Sequence, residues 1–351
     1  MPARYARICL LVLLLVVVIL AAGMGAMKIP AMDVLRIMAY KTGIPVSPTP
    51  DAGMANVFWE LRLPRVLMAV LIGGGLAIAG ASLQGLFRNP LADPMLIGIS
   101  SGASLAAVLV IVLYSFLPAF LLNWLPHYYL LNVVTFAGAC ACSVLVFRLS
   151  TTGNRTAIAS LLLAGLAITA LCNAFIGLIT YTANDDELRN ITFWNLGSLG
   201  GASWRIVGAL APFIIVPVIC LPILSKSLNA YSLGETEAHY LGVNVRRLKV
   251  SILALSTLAV GAAVASAGMI GFVGLVVPHI LRSVTGTDHR QLLFNSAVLG
   301  AILLTLADTI GRTIIAPAEL PIGIVTALIG TPVFITLLLK QRKKLGGLET
   351  A

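Results

Sequence analysis

The sequence predicts an all-α, polytopic membrane protein, and three observations carry that expectation. Apolar residues fill 59 % of the 351 positions and charged residues only 10 %, whereas an ordinary soluble domain carries about 25 % charge. The mean hydropathy is +1.01. Uncharged runs recur along the chain at roughly 20 residues, the length that carries a helix across a bilayer core. A soluble fold of this size cannot clothe its surface with so few charges. The length therefore implies about ten spans in a single transmembrane domain, 1–351, and not two soluble domains.

The first run, 8–27, follows Arg4 and Arg7. Its apolar part is long and no small-x-small cleavage site precedes Lys28, which favours a retained span over a signal peptide. Further runs cover 66–87, 95–116, 129–147, 156–183, 206–225, 250–267, 270–281, 291–307 and 320–339. The stretch 95–147 holds no Asp, Glu, Lys or Arg. It divides at Pro118, Asn123 and Pro126, where turn residues gather beside Trp124, Tyr128 and Tyr129 as at a membrane interface.

Several spans carry breakers: Gly98 and Gly102 in the third, Pro212, Pro217 and Pro222 in the sixth, and Gly268, Gly271, Gly274 and Pro278 in the eighth. Such residues serve either close helix packing or short half-helices that line a pathway. A faint internal repeat accompanies them. Residues 75–87 match 261–273 at five of 13 positions, and the two would run in opposite directions, as an inverted repeat requires.

With the amino terminus inside, 15 basic residues fall in inner segments and 8 in outer ones. The positive-inside rule supports that orientation, with both termini cytoplasmic. The net charge of +10 is spread over the ends of apolar runs, which is topology signalling and not a nucleic-acid surface. The lipid bilayer is the expected surrounding.

Soluble chemistry is missing from the pattern. There is no phosphate-binding Gly-x-x-x-x-Gly-Lys-[Ser/Thr] loop, no Gly-x-Ser-x-Gly elbow and no His-Glu-x-x-His helix. Cys9, Cys140, Cys142, Cys172 and Cys220 sit inside apolar stretches without a Cys-x-x-Cys pair, so neither a disulfide framework nor a zinc site is expected. No catalytic residue, metal site or cofactor is assigned. A secondary transporter needs buried ionisable groups, and a charge at mid-bilayer costs at least about 2.5–3.5 kcal/mol. Asp308 alone is a candidate, and Arg312 follows it at i+4 as a helix-face partner. An ion-coupled secondary transporter stays as the rival reading. A solute carrier of this composition would draw its energy from another subunit.

Two segments suit partners. The inner connector 226–249 contains Gly234-Glu-Thr-Glu-Ala-His-Tyr-Leu-Gly-Val243, a short amphipathic stretch between basic ends. Outside, Glu60-Leu-Arg-Leu-Pro-Arg65 sets Arg62 and Arg65 three apart at the entrance of the second span. Headgroup snorkelling and docking of a partner both fit that pair.

With these motifs the chain resembles the permease subunits of binding-protein-dependent ABC importers for iron–siderophore, haem and cobalamin. The resemblance is carried by Leu61-Arg-Leu-Pro-Arg65, Leu86-Phe-Arg-Asn-Pro-Leu-Ala-Asp-Pro94, Gly98-Ile-Ser-Ser-Gly102, Phe193-Trp-Asn-Leu-Gly-Ser-Leu-Gly200, the 234–243 stretch, Gly271-Phe-Val-Gly-Leu-Val-Val-Pro-His279 and Glu319-Leu-Pro-Ile-Gly323. It implies a type II importer permease fold of ten spans. It also implies a homodimer in the bacterial inner membrane with the pathway on its axis, two cytoplasmic ATP-binding subunits, and a soluble periplasmic binding protein.

Within the family, the wording of 87–94 and 194–201 is most similar to haem importers, with ferric-siderophore and cobalamin permeases as alternatives. His127 is then the histidine to consider as a transient haem contact. The resemblance places a cytoplasmic constriction at Ile158 and Ala159, where cobalamin-type members carry small hydroxyl residues. It makes Gly234, Glu235, Glu237, Ala238, Leu241, Gly242 and Val243 the coupling element that rests on the ATPase, with Ala238, Leu241 and Val243 as its apolar contact. It makes Arg62, Arg65 and Arg312 an outward cationic site for acidic residues of the binding protein.

Overall fold

In the computed structural model, residues 3–25, 27–47, 49–114, 127–152 and 155–346 are described. The divider at Pro118, Asn123, Trp124 and Pro126 lies outside them. The chain starts with α1 (Ala3–Gly23), then α2 (Ala31–Lys41) and the short α3 (Ala52–Asn56), whose first turn is capped by the Asp51 carboxylate. A π-helical turn over Val57–Arg62 leads into α4 (Leu63–Phe87). After a 3₁₀ turn at Pro94–Ile97 come α5 (Ile99–Leu113) and α6 (His127–Leu149). A two-residue antiparallel pairing of β1 (Thr151–Thr152) with β2 (Arg155–Thr156) precedes α7 (Ile158–Thr182).

The second half holds α8 (Asp185–Leu196), opened by an Asn184–Glu187 capping box, and α9 (Trp204–Ile223). Next come α10 (Ser225–Leu233), α11 (Glu235–Tyr240), α12 (Val245–Ala267), α13 (Val273–Thr285), α14 (His289–Gly311) and α15 (Ile322–Gly346). Seven of the described helices are long and apolar enough to cross a membrane, and three shorter apolar helices accompany them. Each of the ten expected runs therefore finds a helix.

At the centre lies α4, hydrophobic all round and buried along almost its whole length, as a helix enclosed by others must be. It crosses α14 where a Cβ on Gly73 would strike the Gly300 carbonyl, and the reverse also holds. This is the small-residue packing that lets two backbones touch in a membrane. In contrast α6, α7 and α9 leave most of their surface uncovered by this chain.

The interrupted spans meet inside. Gly98 adopts φ +74° between the 3₁₀ turn and α5, and Gly268 adopts φ +71° where α12 ends. Pro94 and Gly274 then pack together against Leu76, midway along α4. Non-helical backbone at that depth needs partners from protein, and a side chain supplies them. Pro278 has no N–H to offer the Gly274 carbonyl four residues earlier. Gln84 Nε2 donates to Gly274 O and Leu275 O instead, at 3.3 Å each, while Arg282 holds the other end of the amide.

Of the two readings left open for the breakers, half-helices do not apply to the sixth span, since α9 is continuous through Pro212 and Pro217. One expectation is corrected. The repeat is not a repeat of structure: 75–87 is unbroken helix, whereas 261–273 leaves the helix after Ala267.

Candidate functional site

The start of α1 defines the near end of the bundle, and its close, near Gly23, the far end. At the far end α1 stops with Met24 N–H serving Leu20 O and Ile29 N–H serving Gly23 O. That leaves Ala21 O and Ala22 O without a backbone donor among the described residues, and cations suit that negative pole. Arg62 Nη1 donates to Ala22 O and Gly23 O at 3.2 and 2.9 Å, and its Nη2 to Met27 O. Arg312 donates to Ala21 O. The two guanidinium groups thus cap α1 from two other segments, and they are only 6 % and 8 % exposed.

Arg65 lies beside them. Its Nε reaches both oxygens of Asp308 at 3.0 and 3.1 Å, its Nη2 reaches Asp308 Oδ1 at 2.8 Å, and its Nη1 reaches Glu319 Oε1 at 2.8 Å. Arg312 Nε stands 3.5 Å from Asp308 Oδ2. The expected arginines do converge, but not as an outward patch of free cations. Their guanidinium groups bond to carbonyls and carboxylates of their own chain, and two of the three residues are buried. Only Arg65, through the half-exposed Glu319, communicates with the rim.

At the near end the 226–249 connector is folded, not extended. Gly234 permits the turn between α10 and α11, since a Cβ there would overlap the Glu237 carboxylate. Gly242, at φ +80°, closes α11: its N–H bonds to His239 O, and Val243 N–H to Ala238 O. That pairing is a Schellman motif. Leu233, Tyr240 and Leu241 are 70 %, 85 % and 63 % exposed and form an apolar tip. Ala238, expected in the outward contact, is fully buried, and Val243 packs back on the core. The tip therefore consists of Leu241 with Tyr240 and Leu233, two residues that the sequence reading does not single out. Their signal is nonetheless present: apolar residues flanking both glycines of a polar loop.

Three polar attachments fix the base of this tip to three different spans. Tyr231, buried, lies under the Arg88 guanidinium at the end of α4, 4.3 Å from ring centre, and 5.9 Å from Lys249 Nζ of α12. Burial, reinforced by Glu235, pushes its phenol up to about 12, with Arg88 opposing. Glu235 pairs with Lys249 at 2.9 Å. Asn229 Oδ1 accepts from His289 N at 3.0 Å and faces His289 Nδ1 at 2.7 Å, while its Nδ2 donates to Asp288 Oδ1 at 2.6 Å. Hydrogen bonds from the Arg290 N–H and from Asn229 hold the Asp288 carboxyl below the usual carboxylate range.

Ile158 and Ala159 open α7, the first half-buried against the core and the second exposed. The His127 side chain lies outside the described residues. Cys142 of α6 and Cys172 of α7 face one another with sulfurs 3.8 Å apart.

Broken spans around a buried central helix, with a folded polar segment exposing an apolar tip, define a multi-pass membrane permease. The chain belongs to the FecCD transport family, which matches residues 13–340. It is 47 % identical over 339 residues to the hemin transport system permease protein HmuU of Yersinia pestis, covering 96 % of both chains. It is 37 % identical over 342 residues to the Fe(3+)-citrate import system permease protein YfmE of Bacillus subtilis, covering 97 % of this chain and 96 % of that one. Among solved structures it resembles a metal-chelate type ABC transporter in an inward-facing conformation. That match has a TM-score of 0.81 and 32 % identity, over 95 % of this chain and 98 % of the other.

Proposed function

We propose that this chain is the membrane-spanning subunit of an ATP-driven haem importer of a bacterial inner membrane. It works as a homodimer with two separate ATPase subunits and a soluble periplasmic binding protein. The observation that supports haem over its alternatives is the 47 % identity over 339 residues with the hemin permease, against 41 % over 289 residues with a vitamin B12 import permease of Escherichia coli. The near end is cytoplasmic and both termini lie there, in line with the basic residues. The tip of Leu233, Tyr240 and Leu241 rests on the ATPase, and the remaining outward residues of 234–243 flank it.

The exposed face of α7, with Leu163, Leu166 and Leu178 uncovered by its own chain, meets the second copy across the pathway. Ile158 and Ala159 form its cytoplasmic constriction. Alternating access follows if each partner binds one state better than the other: the loaded binding protein outside, the ATP-closed ATPase dimer inside. At the far end Arg65 receives an acidic group of the binding protein in place of Glu319.

The test is uptake into proteoliposomes holding this subunit with its ATPase and binding protein. Haem, a ferric siderophore and cobalamin are offered in parallel, with and without ATP. ATP-dependent uptake of haem first is expected. Preference for another cargo overturns the haem assignment, and uptake driven by an ion gradient alone overturns the importer reading.

A further inference from the structure

One cluster at the near end is built more closely than a connector needs. The Asn229 amide uses its oxygen for two donors of His289 and its nitrogen for Asp288. Those two residues are the N-cap and first residue of α14, and Asp288 also accepts from Arg290 N at 3.0 Å. A side chain four residues before Leu233 therefore grips the beginning of a 23-residue helix, about 34 Å long.

That helix is locked along its length to α4, backbone on backbone, at Gly73 and Gly300. At its far end Asp308 holds Arg65 and Arg312. The helix is thus a rod clamped by polar groups at both ends. The other two attachments of the tip, Tyr231 with Arg88 and Glu235 with Lys249, reach the end of α4 and the start of α12.

We propose that Asn229 is a positioning residue for transport: through Asp288 and His289 it makes α14 move with the ATPase-facing tip, carrying the ATP-driven displacement toward the far end. This deepens the coupling role proposed above and rests on it. A simple stabilising contact would need one hydrogen bond. The amide instead fixes both the axis and the rotation of α14, because its three bonds come from a backbone N–H, a ring nitrogen and a capping carboxylate.

The chemistry offers a test that separates coupling from folding. Asn229→Asp sets a second carboxylate against Asp288, where a donor stood. Adding Asp288→Ser restores the link with the roles exchanged. In the wild type one oxygen, Asp288 Oδ1, accepts from both Asn229 and Arg290 N. A hydroxyl introduced at position 288 can accept from Arg290 N–H while donating to the carboxylate introduced at position 229, which still accepts from His289. The three proteins are reconstituted as the full complex, and ATPase association, basal ATP hydrolysis and ATP-driven uptake of the cargo the wild type imports are measured.

Asn229→Asp is expected to bind the ATPase and hydrolyse ATP at the basal rate while uptake falls about tenfold, the scale of a broken hydrogen bond to a charged group. The exchanged pair is expected to recover uptake. Wild-type uptake in the single variant overturns the proposal, as does a pair as poor as the single. Loss of ATPase association in Asn229→Asp also overturns it, since the clamp would then shape the docking surface and not carry its movement. Leu241→Asp, tested alongside, addresses the parent reading alone: retained ATPase association there removes the tip as the contact.

Discussion

The two ends of the bundle use charge in opposite ways. At the far end three arginines, Arg62 and Arg65 three apart and Arg312 far along the chain, turn inward. Two cap the end of α1, and the third sits between Asp308 and Glu319. At the near end polar groups fasten the base of a segment whose apolar residues stay outside. Two of the three arginines expected on an outer patch are buried in contacts with their own chain, and the segment expected to meet a partner leaves Leu233, Tyr240 and Leu241 exposed. The lesson is that a cation beside a helix terminus is claimed by its own chain first. The Ala21 and Ala22 carbonyls at the end of α1 have no backbone donor among the described residues and take guanidinium N–H groups instead.

The largest expected effect breaks the far end. Arg312→Leu strands the Ala21 carbonyl and weakens the hold on Asp308. Removing one partner from a buried pair costs about 3–5 kcal/mol, and Arg65 should keep the loss toward the lower figure. Thermal unfolding of the purified subunit in detergent checks it. An unchanged midpoint combined with weaker binding-protein docking would restore Arg312 to the outer surface. Reversing Arg62, Arg65 and Arg312 to Glu together should abolish the folded subunit and not docking alone, and size-exclusion profiles report which occurs.

The next effect sharpens the near end. Leu241→Asp and Tyr240→Ala alter only the exposed tip, so they should leave folding intact and weaken ATPase association by about tenfold or more, as truncation of an interface anchor does. Ala238→Leu acts beneath the tip, where the Cβ is already enclosed, and should destabilise the subunit by about 1–3 kcal/mol through overpacking. If Ala238→Leu left folding untouched and released the ATPase, the tip and its base would have to exchange roles.

How much of this was legible in the sequence depends on range. The ten apolar helices could be placed because hydropathy is a local property, and the breaks at Gly98 and Gly268 because glycine there supplies a backbone angle other residues avoid. Pro212 and Pro217 left two readings open, and a physical reason decides between them. Each removes one hydrogen bond, but leaving the helix in a bilayer would strand several, so α9 continues. The repair of Pro278 by Gln84 could not be seen, since the two are joined only by the packing of α4 on α13.

The same holds for the sites. Arg62 and Arg65 are visible as a pair, but their partners are carbonyls about 40 positions upstream and a carboxylate on α14. The glycines of 234–243 announced a turn-bounded helix. Which of its apolar residues face out is decided by Tyr231, Glu235 and Asn229, whose partners lie on three other spans.

The smallest effect probes the one point where the far end still communicates with the outside. Glu319 is half-exposed and bonds only one nitrogen of Arg65, whereas Asp308 beneath takes the other two. An acidic group arriving from a binding protein would meet Glu319 as a competitor for that nitrogen. Glu319→Gln weakens the competitor and removes a like charge, leaving Arg65 anchored by Asp308. An exposed ion pair is worth about 0.2–1 kcal/mol, so affinity for the binding protein should rise, by at most about fivefold. Arg65→Gln should lower it, and the gain from Glu319→Gln should vanish in that background, because both act through one guanidinium. The difference should shrink at high salt, where the Debye length falls from about 10 Å at 0.1 M to about 3 Å at 1 M. Affinity measured by titration at both ionic strengths decides the matter. A Glu319→Gln subunit that binds no better at low salt would mean that Arg65 serves the fold alone.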